Sequence, residues 1–316
     1  MTREIIPLYH GRRNFLGSED LVVSFYTQKC QFDCSFCDLP SKSSKTPVDP
    51  RYVMQQIDWV FDRYGEELPI LEQLSAGNEG SILDERRFPP EAFDYLVRSS
   101  NEIPNLKVLS LETRPEYVNG RKLGRILDAS KAVIVDVTVG FETQDDVLRN
   151  DVLNKRIGRK YFEDMIRLLG RTGVRLTSYV LLKPGPVMTD EEGVAEAITT
   201  AQYLADVCGE AGTELVIYLN PMYVAVNSPL AKAMRGYDYK PPRIQDIVRV
   251  IIEIKKLGLP VYTGLWSEGF AGEGGDFSSR EDFDRRMRKA VKKFNENQDL
   301  SVFDSVKLEN ESCGFI

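Results

Sequence analysis

Six short runs rich in leucine, aromatic and β-branched residues recur along this chain, at 21–27, 71–76, 106–111, 132–141, 175–182 and 215–221. Their length and composition read as buried strands, and stretches with apolar residues at helical spacing lie among them. The segment opening at Asp49-Pro50 sets Val53, Ile57, Val60, Phe61 and Tyr64 on one face, behind a cap residue with proline in the first turn. A helix fits 93–100, and Phe162, Met165, Ile166 and Leu169 mark another. Thr189-Asp190-Glu191-Glu192 has the spacing of a capping box, ahead of Val194, Ile198, Ala201 and Leu204. Arg243 to Leu257 opens after Pro241-Pro242 and stops at Gly258. A short strand fits 259–263, and a charged helix fits 279–296, behind a glycine-rich loop. Strands joined by helical crossovers run parallel. The chain is therefore an α/β protein, an open doubly wound sheet or a barrel, and periodicity does not choose between them.

The loop leaving the first run reads Cys30-Gln31-Phe32-Asp33-Cys34-Ser35-Phe36-Cys37. Thiols grouped this closely usually bind metal, because each can carry negative charge toward one soft ion or cluster. A structural zinc site takes four ligands, commonly as two separated pairs. Here the other cysteines, Cys208 and Cys313, are isolated, and the one histidine is His10, so Cys3His zinc binding needs a long-range closure. An iron–sulfur cube on three cysteines instead leaves one iron for a non-protein ligand. Zinc would make the chain a zinc-stabilised binding protein; a cube would make it an enzyme.

The chain has 316 residues, 42% of them hydrophobic and 28% charged, ordinary for a globular protein with a substantial core. No window approaches a membrane-spanning apolar run, and the first residues show no secretory pattern. Five cysteines, three of them clustered, argue for a reducing compartment, so a cytoplasmic protein is expected. A net charge of −7 gives no support for broad nucleic-acid binding. The basic stretches 155–160 and 285–293 read as solvated faces, and Cys208 as a packed core thiol.

The C-x3-C-x2-C spacing after the first strand, with Phe36 before the last cysteine, resembles the radical S-adenosylmethionine (SAM) superfamily. Within it the chain looks most like the group of coproporphyrinogen dehydrogenase and the Elongator catalytic subunit. The resemblance implies a partial (β/α)6 TIM-like barrel over 21–225, behind a lead-in over 1–20. A C-terminal helical extension over 226–316 would cover the barrel. It also implies a [4Fe–4S] cluster on Cys30, Cys34 and Cys37 whose fourth iron chelates SAM. Reductive cleavage of SAM would then give a 5′-deoxyadenosyl radical that abstracts hydrogen from a small molecule of the nucleoside or sugar-derived class. A reducing partner such as ferredoxin or flavodoxin is expected.

The same resemblance places SAM contacts at strand ends. Phe36 lies near the adenine, and Gly77-Asn78-Glu79 falls where the family has a Gly-Gly motif, here with one of its two glycines. Glu112 and Arg114 follow the third strand, Glu142 the fourth, and Lys155 stands where a family arginine meets the methionine carboxylate. Ser178, Lys183 and Asn220 complete the cofactor set; Tyr179, Tyr223 and the 266–276 loop are read as substrate groups. Tyr179 and Cys313 are the candidate catalytic side chains, and His10 is read as a surface or substrate-edge residue. Glu112-Thr113-Arg114-Pro115-Glu116-Tyr117, Leu153-Asn154-Lys155, Tyr179 to Pro184 and Tyr239 to Pro242 are similar to the radical SAM subunit of archaeosine synthase, which acts on a modified 7-deazaguanine in tRNA. That likeness implies the alternative of a catalytic subunit in a tRNA-modifying complex. One departure is that only Cys313 stands near the C-terminus.

Overall fold

The computed structural model describes residues 5–225, 227–233, 239–265 and 282–304. One sheet carries eight strands in chain order: β1 (Tyr9–Phe15), β2 (Ser18–Phe25), β3 (Gln73–Asn78), β4 (Val108–Thr113), β5 (Ile134–Glu142), β6 (Arg175–Leu182), β7 (Leu215–Pro221) and β8 (Val261–Thr263). β1 is antiparallel to β2, and every later pair is parallel. The six runs read from the sequence are β2 to β7. Crossovers are made by α1 (Pro50–Arg63), α2 (Pro90–Ser100), α3 (Gly120–Ala129), α4 (Arg159–Thr172) and α5 (Asp190–Ala211). After β7 come α6 (Pro229–Ala233), α7 (Ile244–Lys256), β8 and α8 (Asp282–Asn297).

The helical signals act as expected. Asp49 accepts from the Arg51 amide at 2.8 Å to cap α1. Thr189 and Glu192 cap α5 reciprocally, at 3.2 and 2.8 Å. Phe162 stacks on Phe141 of β5 with ring centroids 4.0 Å apart, pinning α4 to the sheet. α3 was not read from the sequence; it buries Leu123 and Ile126.

The polar lead-in holds a strand. β1 pairs along its length with β2 across Leu16-Gly17, both at positive φ (53° and 90°), as a two-residue hairpin turn requires. It escaped the sequence reading because its polar side chains are paired rather than packed: Arg13 Nε donates to Asp20 at 2.7 Å. His10 falls on the surface side of its expectation: it is partly exposed, its Nδ1 lies 2.9 Å from the Tyr64 hydroxyl and its ring sits edge-on to Trp59, so it packs against α1.

The sheet curls until its first and last strands meet through side chains. Arg13 Nη1 donates to the Tyr218 hydroxyl of β7 at 2.9 Å, and Phe15 stacks on Tyr262 of β8 at 4.7 Å. No ladder joins β1 to β8, so the barrel is partial. Helix α8 lies against both strands. Asn295 accepts from the Thr263 amide at 3.0 Å and donates to its carbonyl at 2.9 Å. Gln298 does the same for Val261, at 3.0 and 2.9 Å. Two side-chain amides thus stand in for a missing neighbouring strand and satisfy the β8 edge. An Asn295→Ala variant leaves a buried N–H and C=O without partners. It is expected to lose about 2–4 kcal/mol in urea unfolding, whereas Asn297→Ala on the exposed side should be near neutral.

Candidate functional site

The C-terminal strand ends open into a cavity of about 300 Å³. Cys30, Cys34 and Cys37 line it from the loop after β2, together with Glu112 near the end of β4, Arg114 just after it, Glu142 at the end of β5, and Tyr179 and Asn220 of β6 and β7. A smaller chamber of about 130 Å³ lies deeper among the strands and shares Glu112, Tyr179 and Tyr218 with the first.

The cysteine loop has little regular structure, and its shape is imposed from outside. Lys29 N donates to the Ser44 carbonyl at 2.8 Å and Ser44 N to Thr27 at 3.0 Å, closing the loop at its base. Ser35 is docked on a distant segment: its amide donates to the Leu153 carbonyl at 2.9 Å and its hydroxyl to Val152 at 2.8 Å. Asn154 donates to the Asp33 carbonyl at 3.0 Å. Gly80 is where the β3 turn passes Cys30; a Cβ there would fall 3.1 Å from its sulfur, a tight contact that would press on the thiol.

Cys30, Cys34 and Cys37 carry free thiols. Burial raises the pKa of Cys30 and pushes that of Cys37 up to about 12. Among the described residues no three His, Cys, Asp or Glu side chains converge on one ion's position. The three sulfurs instead line the wall of a cavity with room for a larger group. Such thiols become stable anions when a cationic centre takes the place of their protons, and Arg114 and Lys155 add positive charge nearby. The donor set therefore fits an iron–sulfur cluster. Cys208 is a core thiol on α5, 2% exposed and likewise pushed to about 12 by burial.

Opposite the thiols, Lys155 Nζ lies 2.6 Å from the Glu142 carboxylate. Burial works against the ammonium, but Glu142, with Cys34, holds its pKa above the ordinary value. Gly140 provides the space: a methyl there would fall 2.5 Å from Lys155 Nζ and closer still to Glu142. Lys155 also sits 5.3 Å from the Phe36 ring centroid. The Tyr179 hydroxyl donates to Glu112 at 3.1 Å. Burial, with Glu112 beside it, raises its pKa well above 10, so it stays a proton donor.

Most of the expected residues are gathered in this cavity: the three cysteines, Phe36, Glu79, Glu112, Arg114, Glu142, Lys155, Tyr179, Asn220 and Tyr223. Four are placed elsewhere. Ser178 faces the helical layer with Leu176 and Val180, on the opposite side of β6 from Tyr179, and is fully buried. Lys183 reaches away, donating to Asp190 and to the Lys240 carbonyl, both at 2.8 Å. Asn78 donates to Thr27 at 3.0 Å and accepts from the Gly80 amide at 3.2 Å, shaping the turn. Gly77 lines the smaller chamber, beside Glu112. The loop 266–276 and Cys313 lie outside the described residues. Sequence reasoning missed Asp38, Gly80 and Tyr218 in the lining; strand alternation from Asn220 was enough to find Tyr218.

No protein-family model matches the chain. It is 24% identical over 302 residues to an uncharacterised protein of Methanocaldococcus jannaschii, covering 92% of this chain and 80% of that one. It is 23% identical over 298 residues to the archaeosine synthase subunit beta of Thermococcus kodakarensis, covering 91% and 86%. Among solved structures, archaeal Elp3 of Methanocaldococcus infernus is similar with a TM-score of 0.53 at 13% identity, over 78% of this chain and 59% of that one. SuiB of Streptococcus suis bound to S-adenosylmethionine gives a TM-score of 0.52 at 14% identity, over 78% and 52%. The chain thus spans less than two thirds of each of these two structures. Its fold is that of radical SAM enzymes, and the resemblance read from its cysteine motif is borne out. Among the described residues no helix is long and apolar enough to cross a membrane.

The buried thiols carry a kinetic signature. In the metal-free protein at pH 8, a thiol with a pKa of about 12 has about 10³-fold less thiolate than an ordinary cysteine. Iodoacetamide should therefore modify Cys37 and Cys208 at least that much more slowly than free cysteine, with rates rising tenfold per pH unit. Peptide mapping that finds Cys37 labelled as fast as free cysteine would show that its burial is wrong.

Proposed function

We propose that this protein is a radical SAM enzyme whose Cys30, Cys34 and Cys37 hold a [4Fe–4S] cluster. The observation that carries this reading is the arrangement itself: three free thiols on one cavity wall face the Glu142–Lys155 pair and the Tyr179–Glu112 hydrogen bond. When bound and reduced, such a cluster supplies the electron that splits the C5′–S bond of SAM into methionine and a 5′-deoxyadenosyl radical.

The chain's own residues have distinct tasks. Lys155, held charged by Glu142, is suited to the carboxylate of the methionine moiety. Phe36, with that ammonium on its face, offers an apolar wall to an adenine. Glu112 can accept from an ammonium or ribose hydroxyl, while Tyr179 fixes its orientation. The apolar side of the cavity, formed by Leu181, Pro221 and Met222, excludes water from the reacting centre.

The substrate is read as a small molecule, a nucleoside or sugar derivative. Likeness over nine tenths of the chain to a protein named archaeosine synthase subunit beta favours a second reading, a catalytic subunit that acts on a tRNA base within a complex. An electron donor of the ferredoxin or flavodoxin class completes either scheme, and the cytoplasm suits both.

Anaerobic reconstitution should give about four irons and four sulfides per chain, and dithionite with SAM should yield 5′-deoxyadenosine. Cys34→Ala should abolish both. Lys155→Met should keep the cluster but weaken SAM binding by about 10- to 100-fold, the loss of one charge-assisted contact. About one zinc with no sulfide would overturn the reading. Salt-sensitive binding of tRNA would select the second substrate reading.

A further inference from the structure

Phe32 and Phe36 stand between the cysteines, and each carries a cation on its ring. Lys155 covers Phe36. Over Phe32 the Arg114 guanidinium carbon lies 3.6 Å from the ring centroid, close enough for full stacking. Arg114 is 6% exposed, at the end of β4. Its Nε and Nη2 donate to Glu116 at 3.2 and 2.6 Å, and Nη2 also donates to the Lys155 carbonyl at 2.9 Å. That carbonyl belongs to a turn in which Asn154 and Arg156 hold left-handed backbone, with φ of 51° and 54°. Glu116 matches the arginine's charge, which leaves Arg114 suited to a task besides the SAM contact that the resemblance implies. We propose that Arg114 is a positioning residue: by stacking on Phe32 while bonding the 155–156 turn, it fixes the cysteine loop and with it the spacing of the three thiols.

Three features support the assignment together. The loop has one short helical turn, Leu39–Ser41, beyond the cysteines, and its cysteine stretch is tied to segment 152–156 through Ser35 and Asn154. Arg114 bonds that same segment from the other side, so it braces the surface on which the loop is docked. Phe32 lies on the opposite flank of Cys34 from Ser35, where Asn154 holds the Asp33 carbonyl and Gln31 donates to the Tyr117 hydroxyl at 2.6 Å, and the arginine adds a stacking contact to those hydrogen bonds. Loop order is a property of the metal-free chain; only the consequence for the cluster rests on the proposed function.

The test is hydrogen exchange on the metal-free protein, read at the Ser35 and Cys37 amides, which donate to Leu153 and to Cys34. In Arg114→Gln these amides should exchange about 30-fold faster than in wild type, while amides in β6 and α5 stay unchanged. Arg114→Lys keeps the charge but has no planar fork, and it should fail to restore protection. Phe32→Leu keeps the volume and loses the ring face, with a several-fold effect, and serves if Arg114 variants do not fold. After reconstitution, Arg114→Gln should release iron to a chelator about 30-fold faster and show a shifted EPR spectrum of the reduced cluster. Unchanged exchange in Arg114→Gln, or full protection in Arg114→Lys, overturns the proposal. A wild type that takes up no cluster, with loop exchange still accelerated in Arg114→Gln, would sink the proposed function and leave the brace standing.

Discussion

The period-two alternation of the strands decides what this barrel can hold. Outward positions such as Leu21, Val23, Val135, Val137, Val139 and Phe141 are apolar and pack under the helices. Inward positions carry Asp20, Ser75, Ser110, Asp136, Thr138, Arg175 and Thr177. A closed (β/α)8 barrel fills its interior with branched aliphatic side chains. Here the interior is instead tied by two buried ion pairs, Arg13–Asp20 and Arg175–Asp136, both at 2.7 Å. Burial raises the pKa of Asp20 against the pull of Arg13. Charges this deep are tolerated only when matched and hydrogen-bonded, and the hydroxyls of neighbouring strands supply those bonds. Small polar side chains such as Ser75, Ser110, Thr138 and Thr177 cannot fill the space that leucine or isoleucine would, and the smaller chamber is what remains.

The site above that interior is built from strained backbone. Glu142, Asn154, Arg156 and Lys183 all have positive φ, between 51° and 72°; Glu142 ends β5, Lys183 directly follows β6, and Asn154 and Arg156 lie in the connection from β5 to α4. Each costs on the order of 1–3 kcal/mol and persists only where surroundings impose it. Arg149 imposes much of it. Its side chain is fully buried, rests 4.5 Å from the Phe141 centroid and donates to the carbonyls of Thr143 and Ile157 at 2.8 and 3.0 Å. One guanidinium thereby ties both ends of the excursion that delivers Lys155 to Glu142.

How far the sequence could be read follows from which interactions are local. β2 to β7 and the caps of α1 and α5 depend on composition and spacing within a few residues, so they were legible. β1 depends on pairing with a partner strand and on one ion pair, neither of which leaves an apolar pattern. The cysteines announced themselves by spacing. Ser178 was misplaced because neighbouring positions on a strand point to opposite faces, and Tyr179 already occupied the inward one. Lys183 was misplaced because a cation at a strand end is equally suited to a ligand and to Asp190, and the choice is made by α5 packing against β6. Arg114 was found as a site residue, but its stacking on Phe32 was not, since that neighbour is far away in sequence.

This last case has a general physical reason. A loop such as 28–44 forms few backbone hydrogen bonds of its own along its cysteine stretch, so much of that stretch's order comes from elsewhere. The groups that supply it here, Arg114 from β4 and the 152–156 segment after β5, are remote along the chain. The geometry of three thiols only a few residues apart is thus determined by contacts that close only once β2, β4 and β5 are side by side. Thiol spacing is therefore a property of the assembled sheet rather than of the motif. The same eight residues, excised with their flanks, would retain the three sulfurs but not the arrangement that makes them a single donor set.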